Sequence, residues 1–190
     1  GFYGLADADA DSDKYLDVFM DDLVYTSRYE ASLFDNDSGY QDESHLYWSD
    51  HKQGSIFRGN IDGTEIVTLI SGLGEPHGIV VDPASGQLYW SDRTHDKIQR
   101  SESDGSGIVD IVSSGAGDVY GLTIDQQNGK LYWTDRETAT VRSANLDGSA
   151  TEVITALADP VSGGIELDSV GQTLYWANND AVVRMPQLPT

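Results

Sequence analysis

The sequence predicts an all-β fold made of one repeated four-stranded unit, and two features lead to that prediction. The motif Leu-Tyr-Trp-Ser/Thr-Asp occupies residues 46–50, 88–92 and 131–135, and returns as Leu-Tyr-Trp-Ala-Asn at 174–178. Its tyrosines are therefore 42, 43 and 43 residues apart. No segment shows the 3.6-residue period of an amphipathic helix. A repeat of about 40 to 45 residues is typical of a β-propeller, in which each blade is a four-stranded antiparallel sheet.

Each repeat contains apolar runs that alternate with turn signals, as four strands require. The first strand is short, rich in β-branched residues and preceded by glycine, at residues 78–82, 121–125 and 164–168. After a turn, the Leu-Tyr-Trp motif forms the second strand. The third strand carries an arginine, at residues 56–58, 98–100 and 141–143. An Asp-Gly hairpin turn then leads to the fourth strand, at residues 66–70, 108–112 and 152–155.

Over residues 46–184 the repeats resemble the YWTD, or low-density lipoprotein receptor class B, repeats. The resemblance covers the aromatic motif, the glycine-bounded strand that ends in Asp, the third-strand Arg and the Asp-Gly turn, all in register. It implies a six-bladed β-propeller in which the Tyr and Trp pack between blades and structural hydrogen bonds hold the motif Asp. Tyr47, Trp48, Asp50 and their counterparts are then scaffold, as expected for aromatics at a fixed repeat position.

The chain is too short for six such blades. Six would need roughly 255 to 260 residues at this period, whereas the chain has 190. We therefore expect an incomplete propeller of about four blades in residues 46–190, where Pro186 and Pro189 end the last blade. Residues 1–45 form an acidic segment with a degenerate or partial blade. Either residues 23–27 are an eroded motif strand, or residues 31–35 are the first strand of the first clear blade.

An incomplete propeller exposes apolar faces between blades, and such faces exceed what a soluble monomer tolerates. We therefore expect a protein partner that covers them. That partner is either a companion chain that supplies the missing blades or a second copy of this chain. Two other ways to cover the faces stay open, namely a smaller closed ring of four blades and sequence lost by truncation.

The charge of the chain restricts the classes of partner. With 11 basic and 32 acidic residues, the net charge is −21. Nucleic acid is an unsuitable partner because its phosphates need clustered Lys and Arg, and anionic membrane surfaces are unsuitable for the same reason. No apolar run is long enough to predict a membrane span. We expect an extracellular or cell-surface protein, with Asn36 in the sequon Asn36-Asp37-Ser38 as a glycosylation site.

Calcium is a candidate ligand of the acidic segment. Asp7, Asp9, Asp11 and Asp13 alternate as the first ligands of an EF-hand loop do. The match then fails, because Ser12 stands where the loop needs glycine and Val18 stands where it needs Glu. A solvated acidic arm is the preferred interpretation, and no cofactor other than calcium is predicted.

The strand order sorts the loops onto two faces. The turn between the second and third strands lies at the same end of a blade as the connection to the next blade. In related propellers this face binds ligands near the central axis, and loops are where function usually lies. The ligand-face candidates are His51, Glu75, His77, Arg93, His95, Asp118, Tyr120 and Arg136. Zinc is conceivable because the face has three histidines, but without a paired spacing we expect solvated surface histidines.

No catalytic residues are predicted. The sequence lacks a Gly-x-Ser-x-Gly elbow, a phosphate-binding loop and a thiol. The favoured function is a non-enzymatic extracellular module that assembles with other chains or copies of itself through open blade edges. One alternative is a ligand-binding propeller fragment of a receptor-type protein, and a less favoured one is a calcium-dependent propeller hydrolase.

Overall fold

The structure is a computed structural model that describes residues 45–60, 62–82, 84–157, 161–178 and 181–186. Three predictions lie outside these residues: the partial blade before residue 45, the calcium ligands Asp7, Asp9, Asp11 and Asp13, and the glycosylation site Asn36. The described part contains fourteen strands and no helix. It therefore has no helix long and apolar enough to cross a membrane.

The strands form four antiparallel sheets in chain order. The first sheet consists of β1 (His45–Asp50), β2 (Ser55–Asn60) and β3 (Val67–Ser71). The second consists of β4 (Pro76–Val81), β5 (Leu88–Asp92), β6 (Lys97–Ser101) and β7 (Val109–Val112). The third consists of β8 (Val119–Asp125), β9 (Lys130–Asp135), β10 (Thr140–Asn145) and β11 (Glu152–Ala156). The fourth consists of β12 (Val161–Asp168), β13 (Thr173–Asn178) and β14 (Ala181–Pro186). These are about four blades of a partial propeller, as the sequence predicts.

The strands occur where the repeats predict them, except that the first strands begin earlier. They were expected to begin at Gly78, Gly121 and Gly164, whereas β4, β8 and β12 begin at Pro76, Val119 and Val161. In each case the register with the next strand is irregular around the glycine. The strand therefore continues past a local bulge, where sequence patterns indicate a boundary.

The Asp-Gly turns show why the repeat needs both residues. Gly63, Gly105 and Gly148 have φ of 80°, 81° and 83°, which favours glycine. In the third sheet the backbone N–H of Ser149 donates to Asp147 Oδ1 at 2.9 Å. A Cβ on Gly148 would also overlap the carbonyl of Ile111 on β7. The turn of one blade therefore closes onto the outermost strand of the preceding blade.

The core lies between neighbouring sheets. Tyr47 packs in one cluster with Trp90, and Tyr132 packs in another with Trp176. Between these clusters, Tyr89 and Trp133 belong to the layer that joins the second and third sheets. The motif Tyr of each of the first three sheets thus packs with the motif Trp of the next sheet, as the resemblance implies.

Polar groups of the motif also join the sheets. Ser49 Oγ donates to the carbonyl of His77 at 2.6 Å, and Ser91 Oγ donates to the carbonyl of Val119 at 3.3 Å. The first strands of consecutive blades lie side by side, β4 beside β8 and β8 beside β12. Equivalent positions on these strands consequently come together near the centre of the fold.

Candidate ligand-binding face

The inner part of the candidate face is formed by β4 and β8. His77 and Tyr120 are 43 residues apart and each precedes the glycine at the bulge of its strand. They were expected in loops but lie on strands, because these strands begin two residues before the glycine. The rigid inner strands therefore position both rings.

Four planar side chains form a continuous row across three sheets. The rings of His51 and His77 are stacked, with centroids 5.2 Å apart and an angle of 12° between their planes. The His77 and Tyr120 rings are tilted at 33°, with centroids 6.1 Å apart. The Arg136 guanidinium lies 5.2 Å from the centroid of the Tyr120 ring, a cation–π contact. We call His51, His77, Tyr120 and Arg136 the planar row.

Asp118 joins the planar row to the loops beside it. Its Oδ1 lies 2.9 Å from Arg93 Nε, and its Oδ2 lies 3.7 Å from Arg136 Nε. A concave depression of about 360 Å³ adjoins this pair of contacts. Its lining residues are Arg93, Asp96, Gly117, Asp118 and Glu137. Asp118 is therefore closer to Arg93 than to Arg136, and Arg136 also contacts the Tyr120 ring.

His95 has a structural partner rather than a place in the row. Its Nδ1 lies 2.9 Å from Oδ2 of Asp92, whose side chain is 3% exposed, and its backbone N–H donates to Oδ1 at 3.3 Å. Asp92 also accepts hydrogen bonds from the backbone N–H groups of Gly74 and Glu75 at 2.9 and 3.3 Å. Burial alone would raise the pKa of Asp92, but the bonds from His95, Gly74 and Glu75 outweigh it and lower the pKa. Asp92 therefore fastens the connection between the first and second sheets.

The same arrangement recurs at the other motif aspartates. Gln53 Nε2 donates to Asp50 Oδ2 at 2.6 Å, and Thr138 Oγ1 donates to Asp135 Oδ2 at 2.5 Å. In each of the three blades whose motif ends in Asp, the residue three positions later binds that Asp. The structural role of the motif Asp that the resemblance implies is thus visible in its hydrogen bonds.

The structure places all the predicted residues at this face but gives them different surroundings. His51, His77, Tyr120, Arg136, Asp118 and Arg93 form one connected set. Glu75 contacts this set through its backbone, because its carbonyl accepts a hydrogen bond from the backbone N–H of Arg93 at 2.9 Å. His95 binds Asp92, so the interpretation of all the histidines as merely solvated misses these contacts. In the ranges that the structure describes, no three His, Asp or Glu side chains are arranged to hold a metal ion.

Asp96 is a residue of this face that the sequence did not indicate. Its carboxylate accepts the backbone N–H groups of Gly115 and Gly117 at 2.7 and 2.6 Å. It thereby fastens the connection between the second and third sheets. Asp96 lies in the second sheet's turn and is not part of the repeated motif, so the repeat pattern gave no signal for it.

Comparisons with known proteins agree with the repeat and with the fold. The family model for the low-density lipoprotein receptor repeat class B matches residues 44–83. No curated protein sequence matches the chain significantly. Among solved structures, a chain in the crystal structure of a nidogen/laminin complex is 28% identical with a TM-score of 0.66, covering 71% of this chain and 52% of that one.

Two enzymes share the fold at lower identity. Virginiamycin B lyase from Staphylococcus aureus is 19% identical with a TM-score of 0.60, covering 77% of this chain and 50% of that one. A gluconolactonase from Xanthomonas campestris is 18% identical with a TM-score of 0.65, covering 75% and 55%. The chain thus spans about half the length of these solved structures. The match at residues 44–83 covers one low-density lipoprotein receptor class B repeat, and the aromatic motif of that repeat recurs in every described sheet of the partial β-propeller.

Proposed function

We propose that this chain is a non-enzymatic extracellular protein-interaction module whose partner binds the planar row. The observation that carries the proposal is the contact of four planar side chains from three sheets. Tyr and Arg are enriched among the residues that dominate binding energy at protein interfaces. His77 and Tyr120 lie on inner strands, and Asp118 Oδ2 lies 3.7 Å from Arg136 Nε, so these three side chains lose less freedom on binding than isolated surface side chains would.

The overall charge and the comparisons both support a protein as partner. A net charge of −21 opposes binding to nucleic acid or to anionic lipid. The nidogen/laminin structure contains a chain of similar fold in a complex of two proteins. Laminin is therefore the first protein to test as a partner. The alternative, that this chain is a ligand-binding fragment of a receptor-type protein, places its ligand on the same planar row.

The calcium-dependent hydrolase stays the less favoured alternative. The only support for this alternative is that the lyase and the gluconolactonase have a similar fold. At under 20% identity, that similarity says nothing about activity. A divalent ion bound on the propeller axis of the chain would favour it.

The test measures the binding of the 190-residue chain to immobilised laminin and to other extracellular matrix proteins by surface plasmon resonance. Arg136→Ala and Tyr120→Ala should each weaken binding about tenfold or more. Lys130→Ala is the control, because it removes one positive charge at the start of β9, at the opposite end of the sheets, and should leave the affinity unchanged. Unchanged affinity of both face variants would refute the site. Failure to bind any of these proteins would refute the partner class.

We further propose that copies of the chain, or a companion chain, pair with its outer sheets. Within the described residues, β14 pairs with β13 alone, and Val182 on this strand is 74% exposed. Unpaired strand edges are ready sites for association. Native mass spectrometry should then show species above 20.7 kDa. A single monodisperse species of that mass would contradict the proposed assembly. It would leave the proposal about the planar row unaffected.

A further inference from the structure

Asn128 connects the third and fourth sheets at the end opposite the planar row. It lies in the turn between β8 and β9 and is exposed. Its Nδ2 donates to Asp125 Oδ2 at 2.7 Å and to Gln172 Oε1 at 2.9 Å. Gln172 belongs to the turn before β13, where its own Nε2 donates to the carbonyl of Ser169 at 2.8 Å. That second bond fixes Gln172 Oε1 as the acceptor, so Asn128 bridges two blades through its N–H groups.

The residue after Asn128 makes this side chain chemically vulnerable. Gly129 has no side chain to hinder attack by its backbone nitrogen on the side-chain carbonyl of Asn128. The Cβ position of Gly129 has no other heavy atom within 4 Å, and its φ is 63°. The turn is therefore open to solvent around the reacting groups.

We propose that Asn128 is a site of spontaneous deamidation that unfastens this bridge. The backbone nitrogen of Gly129 forms a bond to Cγ of Asn128, and the side-chain nitrogen takes up the displaced proton and leaves as ammonia. Water then opens the resulting succinimide at either carbonyl, which gives aspartate or isoaspartate. The reaction consumes one water molecule and needs no oxidant, reductant or enzyme.

The product cannot make the contacts of the amide. Both partners of Asn128 Nδ2 are acceptors, so a carboxylate oxygen in its place loses both hydrogen bonds. The new negative charge also faces Asp125, which is 1% exposed. Like charges at this distance oppose each other strongly when one of them is buried. Deamidation therefore weakens the contact between the third and fourth sheets while leaving the planar row in place.

The second sheet supplies a matched control. At the equivalent position, Ser85 Oγ donates to Asp82 Oδ2 at 2.6 Å, and a hydroxyl group cannot deamidate. Asn128→Ser should therefore preserve the hydrogen bond to Asp125, and the serine cannot deamidate. Asn128→Asp mimics one of the two products.

The experiment ages the full chain at mildly alkaline pH and follows residue 128 by peptide mapping and isoaspartate labelling. A synthetic peptide covering residues 122–133 gives the rate without the fold. We expect the native chain to react within about tenfold of the peptide rate and Asn128→Ser to give no product there. Aged protein and Asn128→Asp should melt roughly 3 to 10 °C lower than fresh protein.

Two results would overturn the proposal. Native protein that reacts far more slowly than the peptide would show that the turn protects Asn128. Modified protein that melts as the fresh protein does would show that the bridge contributes nothing to stability.

Discussion

Replacing Asp92 with asparagine tests whether the motif aspartate holds the blades together. Asp92 Oδ2 accepts hydrogen bonds from Gly74 N and His95 Nδ1, both at 2.9 Å, and Oδ1 accepts two longer ones at 3.3 Å. The Asp92→Asn substitution keeps one acceptor oxygen and turns the other into an NH₂ group, so at least two bonds are lost. The side chain can rotate to keep the shorter pair.

The expected cost follows from the number and strength of the lost bonds. A hydrogen bond to an ionised group contributes about 1.5 to 3 kcal/mol, and the lost pair is the longer one. We therefore expect the free energy of unfolding to fall by about 2 to 4 kcal/mol. For a chain of this size that lowers Tm by roughly 4 to 16 °C.

The loss of stability caused by Asp92→Asn should also depend on pH, and the direction of the pKa shift of Asp92 determines whether that loss grows or shrinks in acid. Because the pKa of Asp92 is lowered in the fold, its stabilisation is complete above the unfolded value of about 3.9 and is lost as pH falls through the folded-state pKa. The difference in Tm between wild type and Asp92→Asn should therefore shrink in that acidic range.

Thermal unfolding followed by circular dichroism from neutral to acidic pH measures both effects. Asp110→Asn is the control, since Asp110 is a more exposed partner of Lys97 at 2.6 Å and such pairs contribute about 0 to 1 kcal/mol. Equal losses for the two variants, or a difference for Asp92→Asn that persists unchanged in acid, would refute the role assigned to Asp92.

Two further substitutions test the packing between sheets, and both are measured by thermal unfolding. Trp90→Ala removes a side chain that is 0% exposed and should cost about 3 to 5 kcal/mol, whereas Val170→Ala at a site that is 94% exposed should cost almost nothing. Similar losses for the two variants would contradict the assignment of the core. Gly148→Ala should destabilise far more than Gly115→Ala, because both have positive φ but an added Cβ meets the backbone of Ile111 only in the first case. Equal effects would mean that φ alone requires the glycine.

The repeat made the fold predictable from the sequence, because each strand is specified several times. A single Leu-Tyr-Trp run is ambiguous, but four copies at a nearly constant spacing fix the strand order, the turns and the face on which each loop lies. That is why the predicted ligand-face residues lie at one end of the described sheets. The strand starts at Pro76 and Val119 were missed because a glycine within a bulge has the same sequence signal as a glycine at a boundary.

The contacts within the face could not be predicted, because they join residues that do not repeat. His51 and His77 belong to different sheets, and no sequence spacing indicates that their rings stack. The sharing of Asp118 by Arg93 and Arg136 depends on the angle between two blades. Periodicity determines which end of the sheet a side chain occupies, whereas side-chain contacts between blades depend on packing.

His95 shows how the repeat can separate a scaffold role from a ligand contact. Gln53 holds Asp50 from the same position at which His95 holds Asp92, so His95→Gln should preserve the hydrogen bond and keep the free energy of unfolding within about 1 kcal/mol of wild type. His95→Leu leaves an oxygen of the buried Asp92 without that donor and should cost about 1 to 3 kcal/mol.

Measuring Tm and laminin affinity on both variants separates the two roles. If His95 is scaffold, His95→Gln changes neither quantity. If the imidazole contacts the partner, His95→Gln lowers affinity while Tm stays constant. Equal melting of the Gln and Leu variants would show that the bond to Asp92 does not stabilise the blade.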